Sequence, residues 1–307
     1  MGYAAIGSDT GGSIRLPASA NGIVGLKPTW GRVSRYGVLA LAPSLDHIGP
    51  MTRRVGDAAA LLSVMAGEDP NDPTSLVGPA EDYSKNLNKG MKGVRIGFDE
   101  SYASRDVSSH VVSAMNQALR EMEKLGALIV PVKLPATDEL TSAWGIIMAV
   151  EALAAHDRTY PSRRSEYGEY FRNLLDKAVK VPAPAYAKAM QVRANFNGQL
   201  RSAFQRFDVL ACPTTADEAP LYDPQKAYEP DTPQTIGGVP ATWLRGGFTM
   251  PYDLRGYPAL SLPSGQSPEG MPLSLQLVGK PLSEALLLQV GHAYEVATTW
   301  HLRHPPV

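Results

Sequence analysis

The chain has 307 residues, of which 44% are hydrophobic and 19% charged, with 29 basic and 30 acidic side chains and a formal net charge of −1. This is globular material long enough for a large core, not a disordered or fibrous chain. No run of one charge sign marks a nucleic-acid or acidic membrane partner, so a small, weakly charged substrate fits better.

Residues 1 to 50 are rich in Gly, Ser and Pro, with short apolar runs such as Gly22 to Leu26, and read as loops and buried turns where a site could sit. From Arg54 to Ala66 the residues Val55, Ala58, Leu61, Leu62 and Met65 recur at helical spacing, and Gly67 with Pro70 supplies the stop. Strand Val94 to Phe98, a helix from about Val111 to Leu125 ending at Gly126, and strand Leu128 to Val132 form a βαβ unit, whose crossover should be right-handed. Residues 139 to 206 alternate helical patterns with the tyrosine-bearing stretch Tyr160 to Tyr170, and Ala185 to Phe207 reads as another helix. Strand candidates Val209 to Cys212, Ala259 to Leu262 and Leu273 to Val278 precede a final helix from Ser283 to about Thr298. No internal repeat or linker is visible, so residues 1 to 307 read as a single domain.

Cys212 is the only cysteine, which excludes internal disulfides and any zinc cluster built on Cys pairs, and makes a reducing cytoplasm the default compartment. The first residues lack a basic start followed by an apolar run, and no stretch holds eighteen consecutive apolar residues, so neither export nor membrane spanning is indicated. The six histidines show no HExxH spacing and read as structural or exposed.

The segment that carries chemistry is Gly7-Ser8-Asp9-Thr10-Gly11-Gly12-Ser13-Ile14-Arg15. Two glycines before a serine let backbone amides converge near its hydroxyl, and converging amides can stabilise an oxyanion. The same glycines suit a turn or a phosphate cradle, although the lysine of a Walker loop and the GxGxxG pattern are missing. Gly11-Gly12-Ser13-Ile14-Arg15 also lacks the second glycine of a nucleophile elbow, so a Ser-His-Asp triad is not suggested.

Residues Ala5 to Ala18 resemble the second half of the amidase signature motif at every specified position. The resemblance continues through Gly25-Leu26-Lys27-Pro28-Thr29, Gly31-Arg32-Val33-Ser34 and Ser44 to Met51, and resumes at Asp208-Val209-Leu210, Pro213-Thr214-Thr215, Gly256-Tyr257-Pro258-Ala259 and Gly270 to Gly279, around a divergent middle. It implies an α/β/α amidase signature fold with a central mixed β-sheet covered by helices. It further implies that Ser13 attacks an amide carbonyl to give an acyl-enzyme, and that the amides of Thr10, Gly11, Gly12 and Ser13 form the oxyanion hole. Asp9 and Arg15 would then support the loop as an ion pair. The middle section would shape the substrate pocket through Trp144, Met148, Tyr170 and Phe171, with Tyr160 and Tyr167 nearby, although ordinary helix packing explains these residues as well.

The family's base is a lysine, relayed through a serine in a cis peptide, and both lie far upstream of the nucleophile. Only twelve residues precede Ser13, and Lys27 matches a structural landmark, so the triad is incomplete and the chain is expected to be N-terminally truncated. No cofactor or metal is implied. The expected partners are a small-molecule amide and either a second copy in a homodimer or a complementing N-terminal fragment; no nucleic acid and no membrane is expected. The favoured activity is hydrolysis of a small or aryl amide, carbamate or urea derivative. One alternative is a protein like the A subunit of glutamyl-tRNA amidotransferase, whose basic helical motif Tyr167 to Val181 does not resemble; the other is a non-catalytic remnant.

Overall fold

The computed structural model describes residues 2–79, 81–220, 235–236, 239–240 and 247–304. The order is β1 (Ala4–Asp9), α1 (Arg15–Ala20), β2 (Val24–Lys27), β3 (His47–Thr52), α2 (Val55–Met65), β4 (Arg95–Phe98), α3 (Glu100–Ser104), α4 (Ser109–Lys124) and β5 (Leu128–Pro131). It continues with α5 (Leu140–Ala155), α6 (Glu169–Ala178), α7 (Ala183–Ala203), β6 (Val209–Pro213), the short pair β7 (Thr235–Ile236) and β8 (Val239–Pro240), α8 (Met250–Arg255), β9 (Ala259–Gln266), β10 (Pro272–Gly279) and α9 (Glu284–Ala297).

Eight strands form one sheet in the order β1-β3-β2-β9-β10-β6-β4-β5. Pairs from β1 to β6 are antiparallel, whereas β4 pairs in parallel with both β6 and β5, which makes the sheet mixed. Helices cover both faces, giving an α/β/α architecture. The central strands are buried along their length, and their successive side chains alternate between two cores. Val209 and Ala211 of β6, Leu260 and Leu262 of β9, and Leu275 and Leu277 of β10 face the layer of α2, α4 and α9. Leu210, Cys212, Ala259 and Val278 face the layer of α5, α7 and α8. The expected βαβ unit is β4, α4 and β5, with Arg95 opposite Leu128 in parallel register.

The first fifty residues are more regular than their composition suggests. What reads as loop and buried turn contains three strands and a helix. β1 has no apolar alternation and gains its strand character from pairing with β3, Ala4 opposite Thr52 through Asp9 opposite His47. β3 contains Gly49-Pro50, a poor strand signal taken alone. Its glycine is required by packing, since a Cβ there would lie 2.1 Å from the carbonyl oxygen of Leu26 in β2. Tertiary contact thus overrides local propensity in this segment.

Candidate active site

Strand β1 ends at Asp9, helix α1 begins at Arg15, and the five residues between them form the loop bearing Ser13. Its two ends are clamped by charge. Arg15 is fully buried, and all five of its N–H groups find acceptors. Nε donates to Asp9 Oδ2 at 3.0 Å and Nη2 to Asp9 Oδ1 at 3.0 Å and Asp253 Oδ2 at 2.6 Å, while Nη1 donates to Gln276 Oε1 at 2.8 Å and the Thr249 carbonyl at 3.0 Å. Asp9 Oδ2 also accepts the backbone N–H groups of Ile14 and Arg15, at 3.2 and 3.4 Å. Burial alone would raise the Asp9 pKa, but the adjoining guanidinium outweighs it and holds the carboxyl well below the ordinary carboxylate range. Asp253 is pushed up instead, by burial and by the charge of Asp9, because two carboxylates share one guanidinium.

His47 lies in the same buried cluster. Its Nδ1–H donates to the Leu45 carbonyl at 2.6 Å, and burial moves its pKa well below the usual value, so the ring is neutral. Lys27 donates to the Tyr257 carbonyl at 2.5 Å, and burial pushes its pKa down to about 8.

The loop itself is tightly fitted. Gly12 has φ +143°, and a Cβ there would lie 2.7 Å from both Leu16 Cδ1 and Thr249 Oγ1; one at Gly11 would lie 2.5 Å from Trp144 Cζ2. Two side chains bind the loop carbonyls: Trp144 Nε1–H donates to the Thr10 carbonyl at 2.9 Å, and Thr249 Oγ1 donates to the Gly11 carbonyl at 2.6 Å. The Thr10 hydroxyl donates to Asp46 Oδ1 at 2.6 Å, and Asp46 also accepts the N–H groups of Leu41 and Ala42. Among the described residues the backbone N–H groups of Thr10, Gly11, Gly12 and Ser13 have no acceptor, and neither has the Ser13 hydroxyl a hydrogen-bond partner.

Ser13 is exposed and lines a cavity of about 310 Å³. Ser8 and Thr10 stand beside it, and the opposite walls come from residues 35–46 and 71–74. Its lining mixes apolar side chains, Leu39, Ala40, Leu41 and Pro43, with the charged groups of Arg35, Asp46 and Asp72. The aromatic residues singled out in the middle section stand elsewhere. Trp144 packs on the loop, Met148 packs beside the α5–α7 core, and Phe171 packs 5.0 Å from the His156 ring and 6.1 Å from that of Tyr167, with Tyr160 in the same small cluster. Tyr170 sits half-buried on α6, and none of Trp144, Met148, Tyr170 and Phe171 lines the Ser13 cavity.

Sequence reasoning did not reach Asp253, Gln276, Thr249 and Asp46, which approach the loop from distant segments. Gln276 carried a usable signal, since it interrupts the apolar run Leu275-Gln276-Leu277-Val278, as Asp253 does in Tyr252-Asp253-Leu254. Among the described residues no group of three His, Cys, Asp or Glu side chains could hold a metal ion, and no helix is long and apolar enough to cross a membrane.

An exposed serine thus stands in a strand–loop–helix turn beside backbone amides that have no acceptor among the described residues. The chain belongs to the amidase signature family: the family model described as Amidase matches residues 1–288. It is 38% identical to the A subunit of the glutamyl-tRNA(Gln) amidotransferase of Thermodesulfovibrio yellowstonii over 330 aligned residues, covering 98% of this chain and 65% of that protein. It is also 38% identical over 306 residues to AmiD of Mycobacterium bovis, provisionally named an amidase, covering 99% of this chain and 62% of that one. A crystal structure of a bacterial aryl acylamidase of the amidase signature family superposes with a TM-score of 0.83 at 25% identity, covering 97% of this chain and 63% of the other. The chain thus spans just under two thirds of the length of these relatives.

Proposed function

We propose that this chain carries the nucleophile and oxyanion hole of an enzyme that hydrolyses the carbon–nitrogen bond of a small or aryl amide. The observation that carries the reading is the pairing of an exposed Ser13 hydroxyl with four adjacent backbone amides, none of which has an acceptor among the described residues. In the proposed reaction a bond forms from Ser13 Oγ to the amide carbonyl carbon, and the carbonyl oxygen becomes an oxyanion received by the amides of Thr10 to Ser13. The carbon–nitrogen bond then breaks, the amine leaves with the proton that the serine gave up, and water cleaves the acyl ester to release the acid.

That proton needs a carrier, and among the described residues no lysine, histidine or carboxylate hydrogen-bonds to Ser13. Lys27 is buried and committed to the Tyr257 carbonyl. The base is proposed to be supplied from outside this chain, by a complementing fragment, and without it the 307-residue chain is expected to turn over several orders of magnitude more slowly than a complete enzyme. A homodimer or a complementing N-terminal fragment is the partner proposed, and a reducing cytoplasm the compartment.

A free-standing hydrolase is favoured over an amidotransferase component by the alignments. That to AmiD takes 306 positions for 99% of this chain, whereas that to the amidotransferase protein stretches to 330 for 98% and so must open gaps. The aryl acylamidase fold match supports an aryl or small amide. The test is incubation with p-nitrophenyl acetate and p-nitroacetanilide, followed by intact-mass detection of an acyl adduct. An adduct in the native sequence that is lost in Ser13→Ala supports the reading. Hydrolysis that survives Ser13→Ala overturns the nucleophile, and full-rate turnover by the 307-residue chain overturns the external base. Co-purification with a stoichiometric second chain that is not a complementing fragment of the amidase domain would favour the amidotransferase reading.

A further inference from the structure

Two successive carbonyls of the Ser13 loop are bound by side chains from different helical elements, Trp144 on α5 and Thr249 at the start of α8. A peptide unit is planar, so binding the carbonyl of Thr10 fixes the direction of the Gly11 N–H, and binding the carbonyl of Gly11 fixes that of Gly12. The carbonyl and N–H of one peptide unit point in opposite directions, so anchoring the carbonyls against α5 and α8 turns the amides away from those helices. Neither anchor lines the Ser13 cavity. Both fit closely, with the Trp144 ring against the space a Gly11 side chain would need and Thr249 Oγ1 against that of Gly12.

We infer that Trp144 and Thr249 are positioning residues of the oxyanion loop, holding the Gly11 and Gly12 amides aimed at the developing oxyanion. The inference rests on the reading of Ser13 and its loop given above. It accounts for both glycines: each leaves room for the anchor that orients its own peptide group. It also gives the aromatic residue of the middle section a task that does not require contact with substrate. Because Gly12 lies in a backbone region that side-chain-bearing residues rarely adopt, the loop relies on external anchors to keep its conformation.

The test compares Trp144→Phe, which keeps a ring but removes the N–H donor, Thr249→Val, which removes the hydroxyl at nearly constant shape, and Thr249→Ser, which restores it. Two readouts are taken on the 307-residue chain: the amide resonances and relaxation of Gly11 to Ser13 by ¹⁵N NMR, and the affinity of phenylboronic acid, a probe that becomes tetrahedral on bonding to a serine oxygen. Loss of one anchor is expected to shift and broaden the loop amides while leaving β1 and α1 unchanged. It should weaken the boronate about tenfold, with Thr249→Ser close to the native affinity. Native-like loop resonances in both Trp144→Phe and Thr249→Val overturn the inference, as does altered loop dynamics with unchanged boronate affinity. Boronate binding that survives Ser13→Ala, or is absent from the native chain, sinks the nucleophile reading instead; the loop resonances then decide the positioning role on their own.

Discussion

Replacing Arg15 by Met tests the buried charge cluster most directly. The guanidinium makes five hydrogen bonds at zero exposure, two of them to Asp9 and one to Asp253. Methionine preserves much of the volume but leaves the two carboxylates facing each other with only Lys27, whose own charge burial disfavours, as a counter-charge. Breaking a buried pair from one side costs about 3–5 kcal/mol. For a chain of this size that corresponds to a fall in melting temperature of roughly 5–10 °C. The sign with pH follows from the Asp9 pKa, which Arg15 depresses in the native chain. Its stabilising contribution is present above the unfolded-state value near 4 and is lost as pH falls towards the folded value. In the variant both carboxyls are raised, so stability falls as pH rises from about 4 towards neutrality. The deficit relative to the native chain should therefore be larger at pH 7 than at pH 5, as read by calorimetry or urea unfolding. A deficit below about 1 kcal/mol, or one equal at both pH values, would refute the account of the cluster as a charge-compensated clamp.

Other substitutions probe the loop and its surroundings. Gly12→Ala should destabilise the fold by about 2 kcal/mol or more, because φ is +143° and the new Cβ meets Leu16 and Thr249 at 2.7 Å; a melting temperature within 1 °C of the native chain would contradict this. Ser13→Ala should leave stability within about 0.5 kcal/mol, since the side chain is exposed and has no partner among the described residues, while abolishing acyl-adduct formation in the intact-mass assay. Lys27 has its pKa lowered to about 8, so its contribution is present above the unfolded value near 10.4 and is lost as pH falls towards 8. Lys27→Met should accordingly flatten the stability curve between pH 8 and 10, where the native chain gains roughly 2 kcal/mol on going up, and parallel curves for the two proteins would disprove it.

Elements whose pattern is set by burial were legible without coordinates. β6, β9 and β10 read as strands because both faces are covered, which leaves near-continuous apolar runs, and α2 reads as a helix from the spacing of Val55, Ala58 and Leu62. β1 and β3 were not legible, because their strand character comes from each other and not from their own residues. Ser13 was visible through its glycine-rich surroundings and family resemblance, and Asp9 and Arg15 were visible as opposite charges flanking it.

The sequence by itself determined the βαβ unit, the family and the segment that bears the serine, because these depend on local periodicity and on a contiguous motif, and the mixed sheet followed from the family resemblance. Only the tertiary structure decided which residues surround that segment. Asp253 and Gln276 reach Arg15 from 238 and 261 residues away, and Thr249 reaches Gly11 across 238. Their roles arise from the packing of β10 and the start of α8 against helix α1 and the loop that precedes it, and chain closure over such separations leaves no spacing for a linear reading to detect.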